Sequence, residues 1–247
     1  MTTAAMWWWI LLPYLSMLTF VIGSIWRWQY DRFGWTSRST QLQERRLLKW
    51  GSPIFHYSTF AAIGGHVIGI LIPQSVTHFL GIPEHAYSTF SGIAGSIAAI
   101  GVLIGAAFLV ARRTLVPRVR ATTSVVDYAV LILLAIVVLL GIYLTLGVQE
   151  LGGGYNYRVT VSPWFRSLFT GNVDVSAIAA APIMYQVHVT AAWFFFGLWP
   201  FSRLVHAFSY PLWYLWRPYV VYRKAKAVRP TEPGTGRRRW RRIAARY

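Results

Sequence analysis

Five stretches, at approximately 7–26, 53–73, 88–111, 125–148 and 182–206, consist almost wholly of apolar side chains. A helix needs about 20 such residues to cross roughly 30 Å of hydrocarbon. The pattern therefore predicts five transmembrane helices, which take up most of the 247 residues. Only 13% of the residues are charged, against about 25% in a soluble domain. In a soluble chain the formal net charge of +17 would point to nucleic acid. With so few charges and so much apolar sequence it points to a membrane, and no nucleic-acid partner is expected. The chain has no cysteine. Disulfides, cysteine-ligated iron–sulfur clusters, cysteine zinc sites and thioether-linked haem are therefore excluded within it.

The basic residues give the threading. If the five stretches alternate sides, 22 of the 24 Lys and Arg fall on one side, and only Arg158 and Arg166 fall on the other. Basic loops stay in the cytoplasm. The expected fold is thus all-α and polytopic in the cell membrane, with the N-terminus outside and the C-terminus cytoplasmic. The first stretch has no basic residue before it, Arg27 and Arg32 after it, and no small-residue cleavage site, so it reads as a retained span. The membrane domain is expected over residues 1–228, with a basic, poorly ordered cytoplasmic tail over 229–247 that attracts anionic lipid or a neighbouring subunit. Trp clusters at 7–9 and 213–216 read as interfacial anchors. Residues 149–181 are too long for a tight turn and are expected to pack over the outer mouth of the bundle.

Six histidines stand out against this apolar background. His56 and His66 lie in the second stretch, His188 and His206 in the fifth, and His78 and His85 in the external loop between the second and third. Ionisable groups inside a membrane are costly and mark function, although a single one is equally explained as a hydrogen-bond partner between helices. Two helices that each carry two imidazoles can hold two haems by bis-histidine ligation. Alternation of the spans puts His56 with His206 on the cytoplasmic side and His66 with His188 on the outer side. His188 and His206 are 18 residues apart, about five turns and 27 Å, whereas His56 and His66 are 10 apart, about 15 Å. This mismatch requires tilt or a bend, and Pro200 is placed to supply the bend. Gly64, Gly65 and Gly69 would let a macrocycle or a helix lie close to the second span.

Several segments carry a family likeness. These are FH at 55–56 with GGHVIG at 64–69, PRVRATT at 117–123, YQVHV at 185–189 and WPFSRLVHAFS at 199–209. With them and its first span and inner loop, the chain resembles the gamma, cytochrome b subunit of membrane-bound respiratory nitrate reductase over roughly residues 10–225. The resemblance implies two haems b, a distal one on His66 and His188 and a proximal one on His56 and His206. It further implies oxidation of menaquinol or ubiquinol near the outer face. Electrons then pass to a cytoplasmic iron–sulfur beta subunit and a molybdenum-containing alpha subunit that reduces nitrate to nitrite. A diheme subunit of a hydrogenase or heterodisulfide-reductase-like complex would share the four ligands but not the RVRATT and WPFSRLVH segments. A haem-free transporter or structural subunit would use the same histidines for packing.

The family places its quinol pocket beside the distal haem, with a basic side chain from the external loop helping to hold the head group. Here that stretch reads GIPEHAYSTF and lacks lysine. His85, flanked by Glu84 and Tyr87, is the candidate, with Gly65 allowing close approach beside His66. Arg112 and Arg203, at inner helix ends, are candidates to neutralise proximal propionates. Ser124 and Asp127 have the spacing of a capping box at the start of the fourth span.

Overall fold

The computed structural model describes residues 3–209 and Trp216, with side chains from Met6 onward. The expected boundary at 228, the basic tail and Trp213 lie outside the described residues. Among those described there is no strand. Helix α1 runs Thr3–Tyr30. Helix α2, Arg46–His66, continues as wider π-helical turns over Val67–Leu71. A short α3, Gln74–Phe79, precedes the long α4, Glu84–Leu115, and a single turn, α5, Pro117–Arg120. Helix α6, Val125–Ile142, also ends in π-helical turns, Tyr143–Leu151. Then come α7, Val161–Ser167, α8, Val175–Ala179, and α9, Ile183–Leu198. Among the described residues four segments are long and apolar enough to cross a membrane: Met6–Tyr30, Arg46–Leu71, Glu84–Leu115 and Val125–Leu151.

The fifth apolar stretch is not one continuous helix. Helix α9 stops at Leu198, and the chain goes on as two 3₁₀ segments, Trp199–Phe201 and Arg203–Phe208, with Ser202 extended between them. Pro200 lacks an N–H and its ring clashes with the preceding turn, which ends regular helix here. The expectation that His188 and His206 lie five turns apart on one helix face is thereby corrected. His206 belongs to a separate short segment.

Close backbone packing fixes α2 against α4. Gly101 and Gly105 lie one turn apart on α4, in the sequence GVLIG. A Cβ at Gly105 would run into the backbone N and Cα of Phe55, and one at Gly101 into the side chain of Ser58. Small residues at such a seam let helices approach where lipid offers no hydrophobic drive. The start of α6 carries the expected capping box, with Ser124 Oγ accepting from Asp127 N and Asp127 Oδ2 accepting from Ser124 N.

Residues 149–181 fold into a cap around α7 and α8 whose core holds Trp164, Ile178 and Ser162, all with no solvent exposure. Trp9 belongs to this core instead of to an interface. It is buried edge-on to Trp164 at 5.5 Å, whereas Trp7 and Trp8 remain exposed. The cap also satisfies the backbone of the widened end of α2. Ser162 Oγ donates to Gly69 O at 3.0 Å and Arg166 Nη1 to Ile70 O at 2.8 Å, supplying partners for carbonyls that a helix end leaves free.

Candidate functional site

Four histidines, His56, His66, His188 and His206, face each other as two pairs. The His56 and His206 ring centroids are 6.0 Å apart with the planes at 73°, and those of His66 and His188 are 6.3 Å apart with the planes at 29°. Nδ1 of His56 is 2.7 Å from Ser52 O, that of His66 is 2.7 Å from Ala62 O, and that of His206 is 2.7 Å from Arg203 O. A carbonyl only accepts, so in each of these rings Nδ1 carries the proton and Nε2 keeps its lone pair. His188 differs: its buried Nδ1 makes no hydrogen bond of standard geometry among the described residues, and its ring packs on Gly141 of α6, where a Cβ would stand 3.4 Å from Cε1.

Around the His66 pair, the three glycines divide. A Cβ at Gly64 or Gly65 would meet nothing within 4 Å, so both border open space beside His66. Gly69 borders none, because a Cβ there would strike the Tyr157 hydroxyl. His85 is exposed in the first turn of α4, and its carbonyl accepts from Ser88 Oγ at 3.1 Å. Among the described residues no hydrogen bond or ring contact joins His85 to His66 or Gly65. Its neighbours are not open-loop side chains. Glu84 pairs with Arg158 at 3.0 Å, and the Arg158 guanidinium lies 3.9 Å from the Tyr87 ring centre. Arg158 also donates to Thr77 Oγ1 at 3.1 Å. Burial, together with the Tyr87 hydroxyl 3.4 Å away, pushes the Tyr157 phenol well above the ordinary tyrosine range. Sequence reasoning counted Arg158 only as one of two basic residues on the sparsely charged side. That scarcity was the signal that it has a particular task.

The His56 pair opens on a cavity of about 750 Å³ between α2, α4, α6 and the second 3₁₀ segment, with apolar walls such as Leu103, Leu131 and Leu134. Arg38, Arg45, Lys49, Arg112, Arg113 and Arg203 line it as well. Arg112 and Arg203, the candidates to neutralise proximal propionates, line this cavity and also hold ion pairs. Arg112 Nε donates to Glu44 at 2.8 Å and its Nη2 to Thr40 O at 2.8 Å. Arg203 holds Asp127 through two contacts of 2.8 Å. Among the described residues no carboxylate pairs with Arg38, Arg45 or Lys49. Nor does any cluster of three His, Asp or Glu occur that would chelate a bare metal ion. What the arrangement offers a cofactor is two facing imidazole pairs.

Comparison with known proteins gives a consistent assignment. The chain is 44% identical over 233 residues to the nitrate reductase-like protein NarX of Mycobacterium tuberculosis, covering 94% of this chain and 35% of NarX. It therefore spans about a third of that relative's length. It is 42% identical over 216 residues to the nitrate reductase gamma chain of Bacillus subtilis, covering 87% of this chain and 96% of that one. It is 30% identical over 213 residues to the respiratory nitrate reductase 1 gamma chain of Escherichia coli, covering 85% and 93% respectively. The nitrate reductase gamma subunit model matches residues 5–225, nearly the whole sequence, and the chain belongs to that family.

Proposed function

We propose that the chain is the quinol-oxidising, diheme cytochrome b subunit of a membrane-bound nitrate reductase, working with cytoplasmic iron–sulfur and molybdenum subunits. One observation carries this reading: the two facing imidazole pairs have the spacing of a shared central metal. A metal–imidazole bond of about 2.0–2.1 Å, plus roughly 1.1 Å from nitrogen to ring centre on each side, gives about 6.2–6.4 Å between centroids. The rings stand 6.0 and 6.3 Å apart. Three of the four also donate Nδ1–H to a carbonyl, as metal-bound imidazoles usually do. The 750 Å³ cavity at His56 and His206 is of the size that takes cofactors, which runs to about 1,000 Å³.

Bound on these residues, haem b would supply a one-electron carrier at each of two depths. The residues that would hold the iron are His66 and His188 at one end and His56 and His206 at the other. Arg38, Arg45 and Lys49, which pair with no carboxylate among the described residues, would offer positive charge to the anionic propionates, with Arg112 and Arg203 on the same wall. Gly65 leaves room beside His66 for a quinol head group, and His85 is the acceptor on the neighbouring helix start.

In this reading α9 and the 3₁₀ segments form a fifth crossing. Sixteen helical residues rise about 24 Å and six 3₁₀ residues add about 12 Å, enough for the hydrocarbon layer. The basic loops then lie in the cytoplasm and the start of α1 outside, so His66 is near the outer face of the cytoplasmic membrane.

A dithionite-reduced minus oxidised spectrum of the purified protein tests the proposal. A b-type α-band with two haems per chain is expected, and a colourless protein overturns it. For the quinol site, His85→Ala should lower quinol turnover with haem content unchanged. An unaltered rate removes His85 from the site.

A further inference from the structure

His206 is the one intramembrane histidine that no regular α-helix holds, so something outside its own segment must set its position. The break that carries it rests on α1. At Gly23 a Cβ would stand 3.0 Å from Pro200 Cβ and 3.1 Å from its Cγ, so the proline ring occupies the space that a side chain would fill. One turn further along, Arg27 is buried, with a side chain only 8% exposed. Its Nη1 donates to Pro200 O and Ser202 O, both at 2.6 Å, and its Nη2 donates to Gly34 O at 3.0 Å. The first two are carbonyls at the break, outside any regular helical ladder, where an unmet buried acceptor would cost about 1–3 kcal/mol.

An ordinary cytoplasmic-side arginine points its charge at water or lipid headgroups. Arg27 instead turns both terminal nitrogens to main-chain oxygens, while its Nε lies 3.5 Å from Asp31 Oδ2. Beyond Ser202 the chain is fastened again, by the two contacts of Arg203 with Asp127 and by Ser202 Oγ accepting from Leu204 N at 3.1 Å. Three residues later His206 turns its Nδ1 back onto Arg203 O at 2.7 Å, while Val205 beside it has no solvent exposure.

We propose that Gly23 and Arg27 of α1 form a seat for the Pro200 break and are positioning residues for His206, so that a helix bearing no ligand sets the second ligand of the cytoplasmic-side haem. This rests on the proposed haem pairs. Lysine cannot replace the arginine, because a planar fork reaches three carbonyls at once and a single ammonium on a flexible stem does not.

The test uses Arg27→Gln and Arg27→Lys in the assembled membrane complex. Haem content is expected to fall from two per chain to one. The lost signal is the one that His56→Ala also removes, and the one that His66→Ala removes is kept. Retention of both haems with unchanged midpoint potentials, or loss of both together, overturns the proposal. If Arg27→Gln does not accumulate in membranes, Gly23→Ala decides, because its added methyl presses on the Pro200 ring at 3.0 and 3.1 Å and otherwise meets Phe201 only at ordinary contact, 3.6 Å. A shift in potential confined to the cytoplasmic-side haem supports the seat, and no shift or an equal shift in both overturns it.

A readout without haem separates this proposal from the one it rests on. The chain has no cysteine, so His56→Cys with His206→Cys can be joined by a short bismaleimide. The yield should drop several-fold when Arg27→Gln is added. An unchanged yield overturns the seat even if the haem assignment is right. A drop supports it even if the protein is colourless.

Discussion

His66→Ala and His188→Ala are each expected to leave one haem per chain and to abolish quinol oxidation, because each removes one side of the same 6.3 Å imidazole pair. The surviving haem should be spectroscopically the same in both variants. His56→Ala and His206→Ala should remove the other haem and leave the first in place. The pairing has a sharp signature: His66→Ala combined with His188→Ala should lose no more haem than either alone, whereas His66→Ala with His206→Ala should lose both. Pyridine haemochrome stoichiometry and redox titration of membranes give the measurement. Retention of both haems in either single variant would sink the pairing.

The second large effect is expected at the opposite chemical extreme, in an ion pair with no proposed ligand. Arg158 is 1% exposed, and Glu84, at 28%, is the carboxylate that balances it. Glu84→Gln keeps the shape and an acceptor but removes the charge, leaving a guanidinium in the interior. Breaking a buried pair from one side costs about 3–5 kcal/mol. With Glu84 partly wet, the lower end, about 3 kcal/mol, is expected. Because Arg158 also touches Tyr87 and Thr77, the loss should show as lower thermal stability in detergent and faster proteolysis within 149–181. Replacing both partners, with Glu84→Gln and Arg158→Met, should recover part of the loss, since the stranded charge is gone. A double variant no more stable than the single would show that the charge is not the cause.

The contrast between these sites shows what sequence can carry. Run length alone marked the apolar stretches, and the scarcity of ionisable groups inside them made the four histidines visible. Pro200 was legible as an interruption because proline acts locally. Its consequences were not legible, since the carbonyls at the break, those of Pro200 and Ser202, are met by Arg27 from 173 and 175 residues earlier. The ion pairs of Arg112 and Arg203 were not legible, because their partners, Glu44 and Asp127, are 68 and 76 residues away. Trp7 and Trp8 are exposed while Trp9 is buried, because each step along a helix turns the side chain by about 100°. GVLIG passed as ordinary apolar sequence, since a seam between helices is defined by what is absent from it. Ser124 and Asp127, by contrast, were readable from three residues of spacing, because a helix cap is a local motif.

The seam between α2 and α4 has one more consequence. His56 and His66 lie ten residues apart within the single unbroken helix Arg46–His66, an interval of about 15 Å. Across from them, the chain between His188 and His206 is interrupted and takes its length from whatever it is tied to. On α2 the separation of the two imidazoles is therefore set by helix geometry. Gly105 locks that helix to its neighbour backbone to backbone, and Gly101 admits the Ser58 side chain beside it. The molecule has a ruler on one side and a broken chain on the other.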